Sequence, residues 1–367
     1  MDSDAGPWII RTQELADIAL RDPHIGMIVK PDRPPTELPA ADSAPSVAQF
    51  FDLWYRYGAN DSDIAPELRR AYGNSAVRRY TDGFAGLADA YRDRLPAQGD
   101  LVDAFVGPYC VDSTLLLMGF HRNRWPALAK VYRVLMFLIR RRLRGATALA
   151  DSQRPTVDTA LCYLRDATAE LMATETPTPL VEALRAVADQ RGGYVWADVA
   201  VISQLLAAGV PQVTTGLGIA CRDLYGDPEL LRAVRAGEVD AEQVAEESMR
   251  LTPPFLSVFG WVNEPCECLG ESLAPGTALM VDIPAVNRDV ERVPDPDRFC
   301  PARARSANYT FGRGTHYCLG ANSARLQVSV GLARLAAGNR TLSIDTAGVT
   351  IENDGLAQSV RTVPYSY

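Results

Sequence analysis

The sequence predicts a predominantly helical α+β protein with small β-sheets, organised as a single domain. Three observations predict it. Apolar residues recur at helical spacing through the middle of the chain. Short strand-like runs punctuated by Gly and Pro collect toward the two ends. No internal repeat or low-complexity linker divides the 367 residues, a length that one large domain can hold.

The elements follow in order. Gly6–Ile10 reads as a short strand and Thr12–Arg21 as an amphipathic helix, whereas Pro31–Ser46, rich in Pro, Ala and Asp, reads as a loop. From Glu67 to Leu95, then over Leu101–Gly119 and Trp125–Leu143, the pattern is helical. The run Arg140-Arg141-Arg142-Leu143-Arg144 suits either a basic patch or a solvated helix end, where cations complement the dipole. Asp198–Leu224 carries the longest helical pattern, with Val199, Ile202, Leu206, Gly209 and Val213 in one stripe. Ala241–Leu251 is a further helix, stopped by Pro253-Pro254. Phe255–Val286 changes to short strands with turns at Leu269-Gly270 and Pro275-Gly276. Asn287–Ser306 is polar, rich in Pro and Arg, and irregular. A last helix runs from Cys318 to about Ala337, and Ser343–Tyr367 returns to short strands.

Composition narrows the function classes. A net charge of -8 argues against nucleic acid as the main partner, because phosphate binding needs a basic face. Met1–Gly6 is acidic and the apolar run at Pro7–Ile10 is short, unlike a signal peptide. No apolar stretch is expected to reach membrane-spanning length. The expectation is a cytoplasmic protein with no membrane partner. Seven cysteines, an odd number in a long chain, do not suggest a secreted disulfide framework.

The densest chemical signal is Phe311-Gly312-Arg313-Gly314-Thr315-His316-Tyr317-Cys318-Leu319-Gly320. Its glycines let the backbone turn tightly and lie close to a flat ligand. The helix that follows turns free N–H groups and a positive dipole end toward the sulfur, which favours thiolate over thiol. His316 and Arg313 offer donors to anionic groups. A zinc site from Cys266, Cys268, Cys300 and His316 has enough ligands, but their spacing fits no closed tetrahedral pattern.

This stretch resembles the ligand loop of the cytochrome P-450 family, Phe-Gly-x-Gly-x-His-x-Cys-x-Gly, at every specified position, with the histidine typical of its soluble bacterial branch. The resemblance extends over nearly the whole chain from Gly6 onward and implies one heme-thiolate domain over residues 1–367. It implies heme b as cofactor, with Cys318 as the axial thiolate and Phe311, Gly312, Gly314, His316 and Gly320 around it. A thiolate ligand pushes electron density onto iron and favours O–O cleavage.

Further positions carry the same likeness. Glu247-Ser248-Met249-Arg250 matches the family's Glu-x-x-Arg signature, two residues that share a helix face. The family joins that pair to an arginine from the later Pro- and Arg-rich segment. Arg298 stands at the matching place, so Glu247, Arg250 and Arg298 are expected to form a structural set behind the cysteine loop. Arg69 resembles a propionate-binding arginine, but the histidine that usually precedes it is Ala65. A second propionate arginine is replaced by Gly260. Ala207–Thr215 resembles the Ala-Gly-x-Asp/Glu-Thr segment that relays protons to bound oxygen. Here Gly209 is kept, while the acid and the alcohol read Pro211 and Gln212. Thr215, about one turn further on, is a candidate substitute. Relative to the family the chain starts late, either because an N-terminal helix is missing or because the start is misplaced.

Three functions remain open from the sequence. One is a monooxygenase fed by a ferredoxin-type electron donor and its reductase, docked on a basic face that includes Arg69, Arg70, Arg78 and Arg79. Another is a non-hydroxylating heme-thiolate enzyme performing coupling, desaturation or rearrangement on a small-molecule or carrier-bound substrate. The last is a heme-poor helper of a glycosyltransferase. Apolar stretches at Ile25–Tyr57, Pro126–Gln153, Ala207–Val210, Phe255–Val258 and around Leu356 suggest a bulky hydrophobic substrate, such as a natural-product intermediate.

Overall fold

The computed structural model describes residues 7–26, 37–59, 63–145, 148–303, 305–314, 317–338 and 342–367. The described chain is rich in helix, with small sheets, as expected. It divides into two compact units. The first comprises residues 1–32, 88–109 and 212–367, the second residues 33–87 and 110–211.

The longest helix is Val195–Gly226, slightly longer at both ends than its pattern predicts. Val199, Ile202, Leu206, Val210, Val213, Leu217, Cys221 and Leu224 are all buried, the continuous stripe that a core helix needs. One expectation is corrected here. By length and composition this helix is apolar enough to cross a membrane, yet most of its apolar window is buried within the protein. It continues unbroken through Pro211, although proline there has no N–H to offer the Ala207 carbonyl. Pro211→Ala is therefore expected to raise stability by about 1–3 kcal/mol in urea unfolding, since an internal proline costs about 3 kcal/mol.

In the first unit, Trp8–Ile10 forms the expected N-terminal strand; Gly6 lies outside the described residues. It runs parallel to Ala278–Asp282, pairing Ile9 with Met280. Ser257–Val262 and Ile25–Gly26 complete the sheet in antiparallel fashion. Gly260, on Ser257–Val262, sits against Ile25: a Cβ there would lie 2.8 Å from Ile25 Cγ2. The Cys266–Cys268 and Glu271–Leu273 strands form a hairpin whose turn holds Leu269 at φ 56° and Gly270 at φ 79°, the conformation that suits a two-residue hairpin loop. The strand region ends four residues early, because Ile283–Val286 is helical, with Asp282 capping Ala285 N–H.

Ala241–Leu251 forms as predicted, started by a capping box between Asp240 and Gln243. The last helix begins at Ala321, three residues after the predicted start, and runs to Ala336. Asn287–Ser306 is irregular apart from the short helical turn Arg305–Ala307 that closes it. The C-terminal strands pair as a two-stranded ribbon, Thr350–Asn353 with Gln358–Thr362. Pro364–Ser366 lies between Gln98–Asp100 and Ser343–Ile344.

The second unit is helical. Residues 37–46 of the predicted loop carry no helix or strand; residues 31–36 lie outside the described residues. A capping box of Ser46 and Gln49 starts Val47–Tyr57. The pattern from Glu67 to Leu95 resolves into Ala65–Ala71, Asn74–Arg78 and Thr81–Arg92. Leu101–Gly119, which starts in the first unit and ends in the second, begins with a π-helical turn over Val102–Val106, where Gly107 N–H donates to the Val102 carbonyl, and continues as Gly107–Met118. Trp125–Leu143, as predicted, packs on Arg154–Met172.

Candidate active site

The cysteine loop is built by its backbone. Gly312 and Gly314 hold φ of 69° and 63°, in the left-handed region that glycine adopts without penalty. Gly312 N–H donates to the Tyr309 carbonyl at 2.9 Å, and Cys318 N–H to the Phe311 carbonyl at 2.8 Å, which closes the loop. Gly314 also needs the space. A Cβ there would lie 2.4 Å from the carbonyl oxygen of Leu20. Gly314→Ala is accordingly expected to destabilise the fold by about 1–3 kcal/mol through backbone strain alone, more if Leu20 has to move, as read by thermal melting.

Cys318 is solvent-accessible, yet its sulfur lies deep enough among protein atoms that burial pushes the thiol pKa up. The Gly320 N–H, the Arg325 charge and the Ala321 N–H oppose that shift. The residue is thus exposed while its sulfur is crowded by protein atoms, with backbone donors from the start of the last helix aimed at it. Serving as those donors requires Cys318 to precede the helix, which explains why Ala321 is the first helical residue. Phe311 is buried beneath the Arg325 guanidinium, 4.2 Å from the ring centroid. Arg325 in turn pairs with the buried Glu246 and donates to Tyr317 Oη at 2.6 Å. His316 lies outside the described residues.

Behind the loop, Glu247 and Arg250 are 3% and 1% exposed and form a two-pronged pair at 2.7 and 2.9 Å. Glu247 Oε1 also accepts from Cys300 N–H at 2.9 Å and from Arg303 Nε at 3.2 Å. The third member of the set is therefore Arg303, which corrects the expectation of Arg298. Arg298 side chain is exposed, and only its carbonyl takes part, accepting from Arg250 and Arg303. Arg303 lies where the irregular segment folds back, and it also donates to the Pro294 and Asp295 carbonyls.

Asn287 links this network to the cysteine loop. Its amide donates to the Arg250 carbonyl at 3.0 Å and to Thr310 Oγ1 at 3.2 Å, while its Oδ1 accepts from Tyr309 N–H at 2.6 Å. Thr310 returns a bond to the Met249 carbonyl at 2.8 Å. The loop is thus suspended from the Glu-x-x-Arg helix two residues before Gly312. Side-chain spacing in the sequence marked Glu247 and Arg250; nothing in it distinguished Arg303 or Arg325 from other polar residues.

On the long helix the three predicted residues differ in role. Gly209 faces open space, with nothing within 4 Å of where a Cβ would stand. Gln212 Oε1 is buried and accepts no hydrogen bond from any described residue, an arrangement that costs free energy unless a ligand or water supplies a donor. Thr215 is 2% exposed and its hydroxyl donates to the Gln358 carbonyl at 3.3 Å. That bond corrects the expectation of a substitute proton donor, because the hydroxyl is already directed at the C-terminal ribbon. Arg69 is exposed on Ala65–Ala71 in the second unit, and its neighbour Arg70 pairs with Glu67.

Comparison with known proteins resolves the resemblance. The profile of the family described as Cytochrome P-450 matches residues 241–336, a span that contains Glu247, Arg250 and Cys318. Cytochrome P-450 107B1 of Saccharopolyspora erythraea is 27% identical over 341 residues, covering 89% of this chain and 80% of its own. Cytochrome p450 CYP199A2 of Rhodopseudomonas palustris is 26% identical over 300 residues, covering 77% and 67%. The solved structure of the ligand-free P-450 monooxygenase TamI aligns with 98% of this chain and 84% of its own, at a TM-score of 0.77 and 20% identity, which shows the shared fold.

The chain belongs to the cytochrome P-450 family.

Cytochromes P-450 are oxidoreductases that hold heme through a cysteine thiolate, and heme is the cofactor of this chain. The residues present fit it. Cys318 offers a sulfur with backbone donors, the loop glycines keep side chains out of the way, and Gln212 on the long helix holds a buried carbonyl oxygen with no donor among the described residues. The rival zinc site gains nothing. Among the described residues, no group of three His, Cys, Asp or Glu is placed to hold a metal. Cys268 is buried with its pKa pushed up to about 11, first by burial and then by Asp22.

Proposed function

We propose that Cys318 is the iron ligand and that residues 1–367 act as one heme-thiolate monooxygenase domain in the cytoplasm. The observation that carries the reading is the Cys318 sulfur at the end of the glycine loop, faced by the Gly320 and Ala321 N–H groups. Bound there, heme supplies dioxygen activation; the protein supplies the thiolate environment and the shape around it. Phe311, Gly312, Gly314, His316 and Gly320 form the rest of the cradle, and Arg69 is the remaining arginine for a propionate. Glu247, Arg250 and Arg303 hold the loop without touching the cofactor.

Electrons come from a ferredoxin-type donor and its reductase, and the substrate is a bulky hydrophobic small molecule, free or carrier-bound. The apolar stretches around Ile25–Tyr57 and Phe255–Val258 support that substrate class. Gln212 accepts hydrogen bonds through its carbonyl but has no titratable proton to give. A hydroxyl or amide N–H on the substrate, or a water it holds, is the donor this oxygen calls for. Because Pro211 and Gln212 stand in the relay positions and the Thr215 hydroxyl is engaged, the non-hydroxylating outcome is the second reading.

The decisive experiment is the carbon monoxide difference spectrum of the reduced, heme-loaded protein, followed by product analysis under oxygen-18. The red-shifted thiolate band is expected, with labelled oxygen in the product. A protein that takes up no heme is the helper subunit instead. A heme-loaded protein whose oxidised product carries no label belongs to the second reading.

A further inference from the structure

A cavity of about 500 Å³ opens between the first helix, the irregular segment and the start of the cysteine loop, all within the first unit. Four guanidinium groups line it, those of Arg21, Arg292, Arg303 and Arg313, against the single carboxylate of Asp17. Asp17 neutralises little of that charge. Its Oδ1 accepts the Tyr309 hydroxyl at 2.9 Å and approaches Arg21 only to 3.8 Å. Arg303 shares its carboxylate, Glu247, with Arg250, and its remaining bonds go to neutral carbonyls.

The chain as a whole carries a net charge of -8, so this concentration of cations runs against its average. Like charges sharing one cavity repel, and an anion between them converts that repulsion into attraction. Guanidinium groups present forked donors that match phosphoryl oxygens. Two of them are fixed in place: Arg303 by its carbonyl partners, and Arg313 by lying over the Tyr309 ring at 4.5 Å from its centroid. Arg21 and Arg292 are exposed at the rim. The volume falls within the range of small-molecule sites and exceeds what one phosphate fills.

We propose that this cavity binds a phosphoryl anion, as the free ion or as the phosphate end of a larger molecule. The site bears on the cysteine loop directly. Arg313 lies between Gly312 and Gly314, and Tyr309 is tied to Asn287, so an anion held here braces the loop through two of its own residues.

Calorimetric titration of the full chain in a low-salt, phosphate-free buffer tests the proposal, with inorganic phosphate and pyrophosphate as probes. Saturable one-to-one binding is expected. Arg21→Gln and Arg292→Gln, at exposed positions that leave the fold intact, are each expected to weaken it about tenfold, as for loss of one charge-assisted contact. Arg144→Gln, at an exposed arginine that does not line the cavity, leaves it unchanged. Tighter binding of pyrophosphate identifies a phosphoryl group carried on a larger molecule, and equal binding identifies the free ion. Heat that never saturates at millimolar probe overturns the proposal, as does an equal loss in Arg144→Gln. So does the case in which the two rim variants lose only an acidic protein donor and retain both anions.

Discussion

Cys318→Ser is expected to abolish the red-shifted carbon monoxide band and reduce turnover to background, while the melting temperature of the heme-free protein barely moves. The two halves of that result have separate causes. The residue is exposed and its side chain small, and a serine hydroxyl accepts from the Gly320 and Ala321 N–H groups as a thiol does. Stability should change by less than about 1 kcal/mol, the range of substitutions away from the core. Ligation is another matter. Two N–H groups and the Arg325 charge offset part of what burial does to a thiol whose ordinary pKa is about 8.5, within reach of iron binding; they are far too weak to ionise a serine hydroxyl. Absorption spectra of reduced, carbon monoxide-treated variant and parent, beside their melting curves, check both halves. A variant that kept the red-shifted band would move the ligand to another cysteine and sink the assignment.

Glu247→Gln is expected to cost about 3–5 kcal/mol, the usual penalty for stranding buried charge, and to prevent stable heme incorporation. The glutamine keeps the shape but leaves the buried Arg250 and the half-buried Arg303 without a counter-charge. Arg303→Ala is expected to cost about 1.5–3 kcal/mol, as for loss of hydrogen bonds to charged and carbonyl acceptors. Arg298→Ala should stay within about 0.5 kcal/mol, because an alanine still offers the carbonyl that Arg250 and Arg303 use. Urea unfolding of the three variants orders them. Equal effects at 298 and 303 would contradict the geometry of the network.

That contrast shows how far the sequence reaches. Glu247 and Arg250 were legible because three residues of helix fix their relation whatever the rest of the chain does. The partner arginine was not, because Asn287–Ser306 has no period. Arg292, Arg298, Arg303 and Arg305 are equivalent on paper until the segment folds back. Helices with continuous apolar stripes, Ala241–Leu251 and Trp125–Leu143, appear at their predicted bounds. The pattern from Glu67 to Leu95 broke into three helices, since a periodic count does not register the backbone turns near Gly73 and Arg79. Cys318 announced itself through its loop, but the start of the helix at Ala321 follows from donors aimed at sulfur, and periodicity carries no such information. Thr215 looked available by spacing alone; only the strand register shows that the Gln358 carbonyl takes its hydroxyl.

Gly260 constrains what else its strand can carry. A propionate arginine is expected at that place, and glycine stands there instead. Ile25 lies so close that even a methyl group at 260 would stand 2.8 Å from Ile25 Cγ2. An arginine installed at 260 alone therefore meets a buried branched side chain at its first carbon, before its charge reaches anything. Adding that anchor by design takes two changes together, a smaller residue at 25 and the arginine at 260, and the first of them removes a core side chain.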